Sequence, residues 1–230
     1  MSLRTGLGAL GALAAAAGTA GADTTDVTWQ NRVVVEKQGE FCSEDPNCFN
    51  RYHPEIEPVA TAAPGDYIVF HTRDALDSDL TLDSNADDVA ALDLSGVHPM
   101  TGPVRIEGAE RGDLLAITIE DIAPDQFGYT VIVPGFGFLR DEFTEPYFVG
   151  WRQDRNHARS DAMPGVAVPY EAFTGSIGTM PGAEEVDAWL AREAALGAVG
   201  GAALPPEPTG AHPAEVCGPD GSHADTCLRT

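Results

Sequence analysis

Apolar residues along the chain fall in short runs divided by Gly, Pro, Asp and Asn, a rhythm that predicts strands and tight turns more than helices. Val33-Val34-Val35 is the strand candidate inside an otherwise polar, irregular stretch, residues 23–49. From Val59 the pattern turns to β. Asp66-Tyr67-Ile68-Val69-Phe70-His71 follows Pro64-Gly65, a turn pair that starts a strand. The same device recurs: Ala62-Ala63-Pro64-Gly65-Asp66-Tyr67-Ile68-Val69-Phe70 lines up with Ala109-Glu110-Arg111-Gly112-Asp113-Leu114-Leu115-Ala116-Ile117, and an acid follows each at matching distance, Asp74 and Asp121. Further strand candidates are Val104-Arg105-Ile106, Thr130-Val131-Ile132-Val133 and Val166-Ala167-Val168, joined by connectors such as Val133-Pro134-Gly135-Phe136-Gly137-Phe138. Two helices are expected, a short one over residues 86–92 and a longer one over 184–196. Glu184 and Glu185 suit the N-terminus of the second, and Val186, Trp189, Leu190 and Ala194 share a narrow apolar face interrupted by Glu193. The expectation is a mainly β fold, repeated β units in a sandwich or barrel-like body with one or two short helices.

Charge changes the picture next. The 230 residues carry 36 Asp and Glu against 13 Lys and Arg, a formal net charge of −23, and Lys37 is the single lysine. Such a surface repels phosphate backbones, so nucleic acid is not an expected partner. It suits a salty milieu, where screening removes self-repulsion. Hydrophobic residues make up 43% of the chain, a globular composition.

Residues 1–22 have the pattern of a signal peptide: Arg4, an apolar run over residues 7–17, then the small residues Ala20-Gly21-Ala22 ahead of Asp23. The apolar run is too short and too rich in Gly and Ala for a stable span, and no later stretch is long enough to cross a bilayer. Export to the periplasm or the extracellular space is the expectation. It makes disulfides the economical reading of the cysteines, as two local pairs, Cys42 with Cys48 and Cys217 with Cys227. A zinc site using His212 or His223 is the rival, but the cysteine spacings do not resemble Cys-x2-Cys ligand pairs.

The segment with most chemistry is Asp83-Ser84-Asn85-Ala86-Asp87-Asp88-Val89, followed by Asp93-Leu94-Ser95-Gly96-Val97-His98-Pro99-Met100-Thr101-Gly102-Pro103. Ser84 or Asn85 can cap the short helix, with Asp87 and Asp88 in its first turn. Carboxylates with an imidazole can also bind a divalent metal or move a proton, and Pro99 restricts the backbone of His98. His53 precedes Pro54 and suits either a pocket role or a loop imidazole tied to backbone; His71 reads as a strand face residue, and Phe148 and Trp151 as packing aromatics.

That segment, together with Glu107-Gly108-Ala109-Glu110-Arg111-Gly112-Asp113, resembles the acetamidase/formamidase family in order and spacing. Asn50-Arg51-Tyr52-His53-Pro54-Glu55-Ile56 is similar to the family's formamidases, and Pro134-Gly135-Phe136-Gly137 and Gly175-Ser176-Ile177-Gly178-Thr179 to its acetamidase-type members. The resemblance covers residues 50–230. It implies a mostly β fold with a repeated strand unit, and hydrolysis of a small linear amide, formamide or acetamide, to ammonia and a carboxylate. It also implies homo-oligomers. Family members continue past the point matching Leu228-Arg229-Thr230 into Pro-Pro-Arg-Glu, Gly-Gly-Asn-Asp and Gly-Asp-x-His segments, so the resemblance implies a domain that is partial here.

Counting residues narrows the hydrolytic chemistry. Lys37 lacks the Gly- and Ser-rich surroundings of a Ser-Ser-Lys amidase, a nitrilase-type Glu-Lys-Cys set has no matching context, and no Gly-x-Ser-x-Gly elbow is present. Metal-assisted hydrolysis remains, with a divalent ion, zinc or similar, polarising the carbonyl and activating water. The expected catalytic residues are Asp87, Asp88 and His98, with Asp87 and His98 as metal ligands and His53 and Phe136 as substrate contacts. The alternative is a binding-only or inactive exported β-domain. A blue-copper version of it fails because no Met follows Cys217 and His223.

Overall fold

A computed structural model describes residues 31–200 and 208–230. Residues 1–22, expected to be a signal peptide, lie outside that range. Short strands dominate: β1 (Arg32–Val35), β2 (Cys48–Phe49), β3 (Arg51–Tyr52), β4 (Ala60–Ala62), β5 (Tyr67–Phe70), β6 (Met100–Thr101), β7 (Val104–Ile106), β8 (Phe127–Ile132), β9 (Tyr147–Gln153), β10 (His157–Arg159), β11 (Val168–Pro169) and β12 (Leu228–Arg229). The helices are α1 (Ala86–Ala90), α2 (Ala183–Ala198) and α3 (Ala214–Cys217). The fold is mainly β, as the alternation of apolar runs and turn residues requires.

The strands pair in small sheets. β1 runs parallel to β5, with Val33 opposite Ile68 and Val35 opposite Phe70. β4 runs parallel to β7, from Ala60 opposite Val104 to Ala62 opposite Ile106. β2 pairs antiparallel with β6, and β3 with β12. The largest sheet is antiparallel in the order β11-β10-β9-β8. The hairpin of β9 and β10 has no clear signal in the apolar pattern, because β9 mixes Arg152 and Gln153 with Phe148 and Trp151. The Trp151 indole instead donates to Thr130 Oγ1 across the ladder at 3.0 Å.

The repeat is visible in atomic detail. The Asp66 N–H donates to the Ala63 carbonyl at 3.0 Å, and the Asp66 carboxylate accepts from the Ala63 N–H at 2.7 Å. At the second site the Asp113 N–H donates to the Glu110 carbonyl at 3.0 Å, and the Asp113 carboxylate accepts from the Glu110 N–H at 2.9 Å. Gly65 and Gly112 have φ of 93° and 101°, the left-handed region that side chains avoid and glycine tolerates. The outcomes after the two turns differ. Residues 67–70 become β5, whereas the strand expected over 113–117 does not form: residues 114–119 make no main-chain hydrogen bond among the described residues. A strand needs a neighbour for its N–H and C=O groups, and the second copy has none among the described residues.

The core that positions the site lies between the β2–β3 segment and the C-terminal segment. Phe49, Ile56, Ala211, Cys217 and Cys227 are buried together, with Tyr52, Met100, Met180 and Val216 packed against them. Both expected disulfides are present, Cys42–Cys48 and Cys217–Cys227. A second buried element is ionic. Arg73 donates to Asp45 at 2.8 Å and to Asp77 at 3.0 Å, with the Arg73 and Asp45 side chains almost fully buried. Both predicted helices form. Asn85 caps α1 by accepting from the Asp87 N–H, and Asp88 returns a bond to the Asn85 N–H. On α2 only Val186 is buried, so most of its apolar face is uncovered.

Candidate functional site

Four stretches far apart in sequence meet around Asn50 and Arg51. Both side chains are buried, Arg51 completely. Burying a guanidinium and an amide demands partners for every polar atom, and those partners fix the neighbouring loops. The Asn50 side chain donates to the carbonyls of Gly96 at 2.9 Å and Gly210 at 2.8 Å and accepts the His212 N–H at 2.7 Å. Arg51 donates to the carbonyls of Asn50 at 2.7 Å and Ser95 at 2.8 Å. The loop before His98 and the segment 210–212 are thereby clamped to β3.

His98 is exposed and ends this knot. Its N–H donates to Thr230 Oγ1 at 3.1 Å, its Nδ1 lies 3.3 Å from the Thr230 main-chain oxygen, and Thr230 Oγ1 lies 2.7 Å from the His98 carbonyl. Asp87 and Asp88 sit on the exposed first turn of α1, where Asp88 serves as a helix cap. Phe136 is exposed on a turn after β8 and takes no part in the contacts around His53 or His98. The structure thus uses Asp88 as a helix cap and ties His98 to Thr230, and among the described residues Asp87, Asp88 and His98 do not form one donor set. Among the described residues no group of three or more His, Cys, Asp or Glu side chains could hold a metal ion.

His53 is different. It follows β3, is 6% exposed, and stacks on His223 with ring centroids 3.9 Å apart. His223 sits in the loop closed by Cys217–Cys227, which the disulfide holds against the core. The Glu55 N–H donates to His53 Nδ1 at 3.2 Å, so Nδ1 is the acceptor and the neutral ring carries its proton on Nε2. Burial lowers the His53 pKa, and the charge of His223 lowers it further against the opposite pull of Glu55 and Asp187. Asp187 comes from the second turn of α2, so that helix faces the same imidazole. Burial likewise lowers the pKa of His212. The sequence offers His53 as a pocket residue and His223 as a rival zinc or copper ligand; Asn50 and Arg51 enter only as part of the formamidase-like segment, and Asp187 is not singled out. The signal for His223 was its place inside a short disulfide loop.

Two shallow clefts lie elsewhere, one lined by Phe148, Gly150, Arg152 and Ser160, the other by Ile119, Asp121, Ile122 and Tyr170. None of the expected site residues lines either.

Residues 34–230 match the Acetamidase/Formamidase family. The chain belongs to this family. It is 34% identical over 170 residues to an acetamidase of Mycolicibacterium smegmatis, covering 68% of this chain and 42% of that protein. It is 32% identical over 169 residues to a formamidase of Methylophilus methylotrophus, covering 71% of this chain and 42% of that one. Among solved structures, a gamma lactamase from Delftia acidovorans superposes with a TM-score of 0.74 at 30% identity, covering 86% of this chain and 52% of the lactamase. The chain thus spans about half the length of these acetamidase/formamidase relatives. Among its described residues no helix is long and apolar enough to cross a membrane.

Proposed function

We infer that the chain forms part of a hydrolase that cleaves the C–N bond of a small linear amide, releasing ammonia and a carboxylate. Membership of the acetamidase/formamidase family over residues 34–230 carries this reading. The chemistry of the paired imidazoles supports it. His53, neutral and with its proton fixed on Nε2, is suited to donate to the amide oxygen as negative charge develops there. His223, half-buried against it, is suited to take the proton of the attacking water and pass it to the leaving nitrogen. Water adds to the carbonyl carbon, the C–N bond breaks, and the nitrogen departs as ammonia. Formamide and acetamide are the first substrates to try.

The two disulfides support export, since such bonds persist in oxidising compartments.

The test is ammonia release from formamide and acetamide, measured on the chain alone and on the chain mixed with a polypeptide covering the part of the M. smegmatis acetamidase outside the match. Release from either preparation, lost in His53→Ala, supports the reading. No release from both would overturn it.

A further inference from the structure

We propose that the stacked rings of His53 and His223 form an acid-operated latch: protonation of both frees the loop 218–226, while the Cys217–Cys227 bond keeps that loop tethered to the core. The contact is close and largely dry. The ring centroids lie 3.9 Å apart with the planes 27° from parallel, and His53 is 6% exposed. Two neutral imidazoles can share that contact, and so can one neutral and one charged ring. Two imidazolium ions repel at ring-contact distance, where burial weakens the screening by water.

The two rings ride on parts of unequal rigidity. His53 follows β3, which pairs with β12 and is clamped through Asn50 and Arg51 to the carbonyls of Gly96, Gly210 and Ser95. His223 sits mid-loop. The buried sulfurs of Cys217 and Cys227 fix the ends of that loop, and Pro219, Asp220, Ser222 and Asp225 between them are exposed. Its ties to α3 are main-chain bonds, Ser222 N–H to the Glu215 carbonyl at 3.0 Å and His223 N–H to the Val216 carbonyl at 2.7 Å. The loop is therefore the side that yields.

The surrounding charges set the direction. Glu55, two residues on, and Asp187 from α2 favour a proton on His53, while burial and His223 disfavour it more. Burial raises the phenol of the adjacent Tyr52, which stays uncharged in acid. Glu215, Asp220 and Asp225 beside His223 are exposed, so water and salt screen them. A ring that resists protonation when closed gains proton affinity when its surroundings open, so acid favours the open loop. On the hydrolytic reading above, on which this consequence rests, opening parts the two imidazoles and stops amide cleavage in acid.

The experiment reads the loop itself, so its result does not depend on ammonia release. Hydrogen exchange on the full chain, expressed as protection factors, is compared at about pH 7.5 and about pH 5. The Ser222 and His223 amides are expected to lose at least about tenfold of their protection in acid, while the amides of β8 and β9 keep theirs. In His53→Gln and in His223→Gln the protection of those loop amides should be the same at both pH values. Circular dichroism identifies any variant that fails to fold, and the wild-type comparison with β8 and β9 stands without it. Unchanged loop protection in the wild type would overturn the proposal, as would loss shared with β8 and β9. So would an acid loss that persists in both variants, which would point to the buried His212 instead.

Discussion

Asp66 and Asp113 close the same turn at two places in the chain, each accepting the N–H three residues back, and only the first turn leads into a paired strand. Local geometry is therefore equal while tertiary coupling is not. Asp66→Ala removes a hydrogen bond from the turn that leads into the paired strand β5 and is expected to cost about 1 kcal/mol. Asp113→Ala removes an equivalent bond ahead of a stretch without main-chain hydrogen bonds among the described residues and is expected to cost less than about 0.5 kcal/mol. Urea unfolding of the two variants checks this; equal losses would show that the second strand contributes to stability in the chain alone.

Arg73 is the hub of a buried ionic knot. Besides Asp45 and Asp77 it donates to the carbonyls of Gly39 at 3.0 Å and Glu40 at 2.7 Å. Burial pushes the Asp45 carboxyl up, but bonds from Arg73 and from the N–H groups of Asn47 and Gln38 outweigh it and hold the group below its ordinary range. Arg73→Met leaves two carboxylates without their cation and is expected to lose about 3–5 kcal/mol. Asp45→Asn with Arg73→Met should lose less than the sum of the single losses, because the pair is coupled. Denaturant midpoints of the three variants decide it.

The buried histidines set a pH dependence. The folded pKa values of His53 and His212 lie below the ordinary imidazole value of 6.5. In that window the unfolded chain binds more protons than the folded one, so stability rises with pH. It is complete above the ordinary value and is lost as pH falls through the folded values. The denaturation midpoint is expected to drop between pH 7.5 and 5.5, and His53→Gln should remove part of that drop. An unchanged slope in the variant would locate the effect elsewhere.

What could be read from the sequence divides by range. The turns at Pro64-Gly65 and Arg111-Gly112, the capped helix after Asn85, and both disulfides are local, and residue types within a few positions determine them. The apolar pattern after Asp113 predicts a strand that does not form, because a strand is a property of two segments and the pattern reports one. The site residues were harder still. Asp87, Asp88 and His98 have chemistry to offer, yet the fold uses Asp88 as a cap and ties His98 to Thr230. The groups the fold does bury, Asn50, Arg51 and His53, derive their roles from Gly96, Gly210, His212 and His223. No spacing rule connects positions that far apart.

Acidity gives a further expectation. Several of the ion pairs, including Arg152 with Asp161 and Arg155 with Asp121, are exposed, and such pairs contribute little. Repulsion among the 36 acids therefore dominates the surface. Raising salt from about 0.01 M to about 1 M shortens the screening length from roughly 30 Å to 3 Å. The thermal midpoint is expected to rise over that range; a fall would mean that attractive pairs outweigh the repulsion.

The disulfide between Cys217 and Cys227 joins stability to the candidate site. Both cysteines are buried in the cluster with Phe49 and Ile56, and the loop they close carries His223 against His53. Cutting the bond releases chain entropy in the unfolded state and loosens the second imidazole in the folded one. Cys217→Ala with Cys227→Ala is expected to cost about 2–4 kcal/mol. The effect should not be confined to stability. With His223 freed, its charge no longer opposes protonation of His53, and the Glu55 and Asp187 carboxylates then act on that ring with less opposition. The His53 pKa should rise, observable as a shift in its imidazole proton resonances on titration. Cys42→Ala with Cys48→Ala removes a disulfide that does not close the loop carrying His223 and should lower stability while leaving the His53 titration where it was. A His53 titration that moved equally in both double variants would show that general loosening, and not the loss of His223, sets its proton affinity.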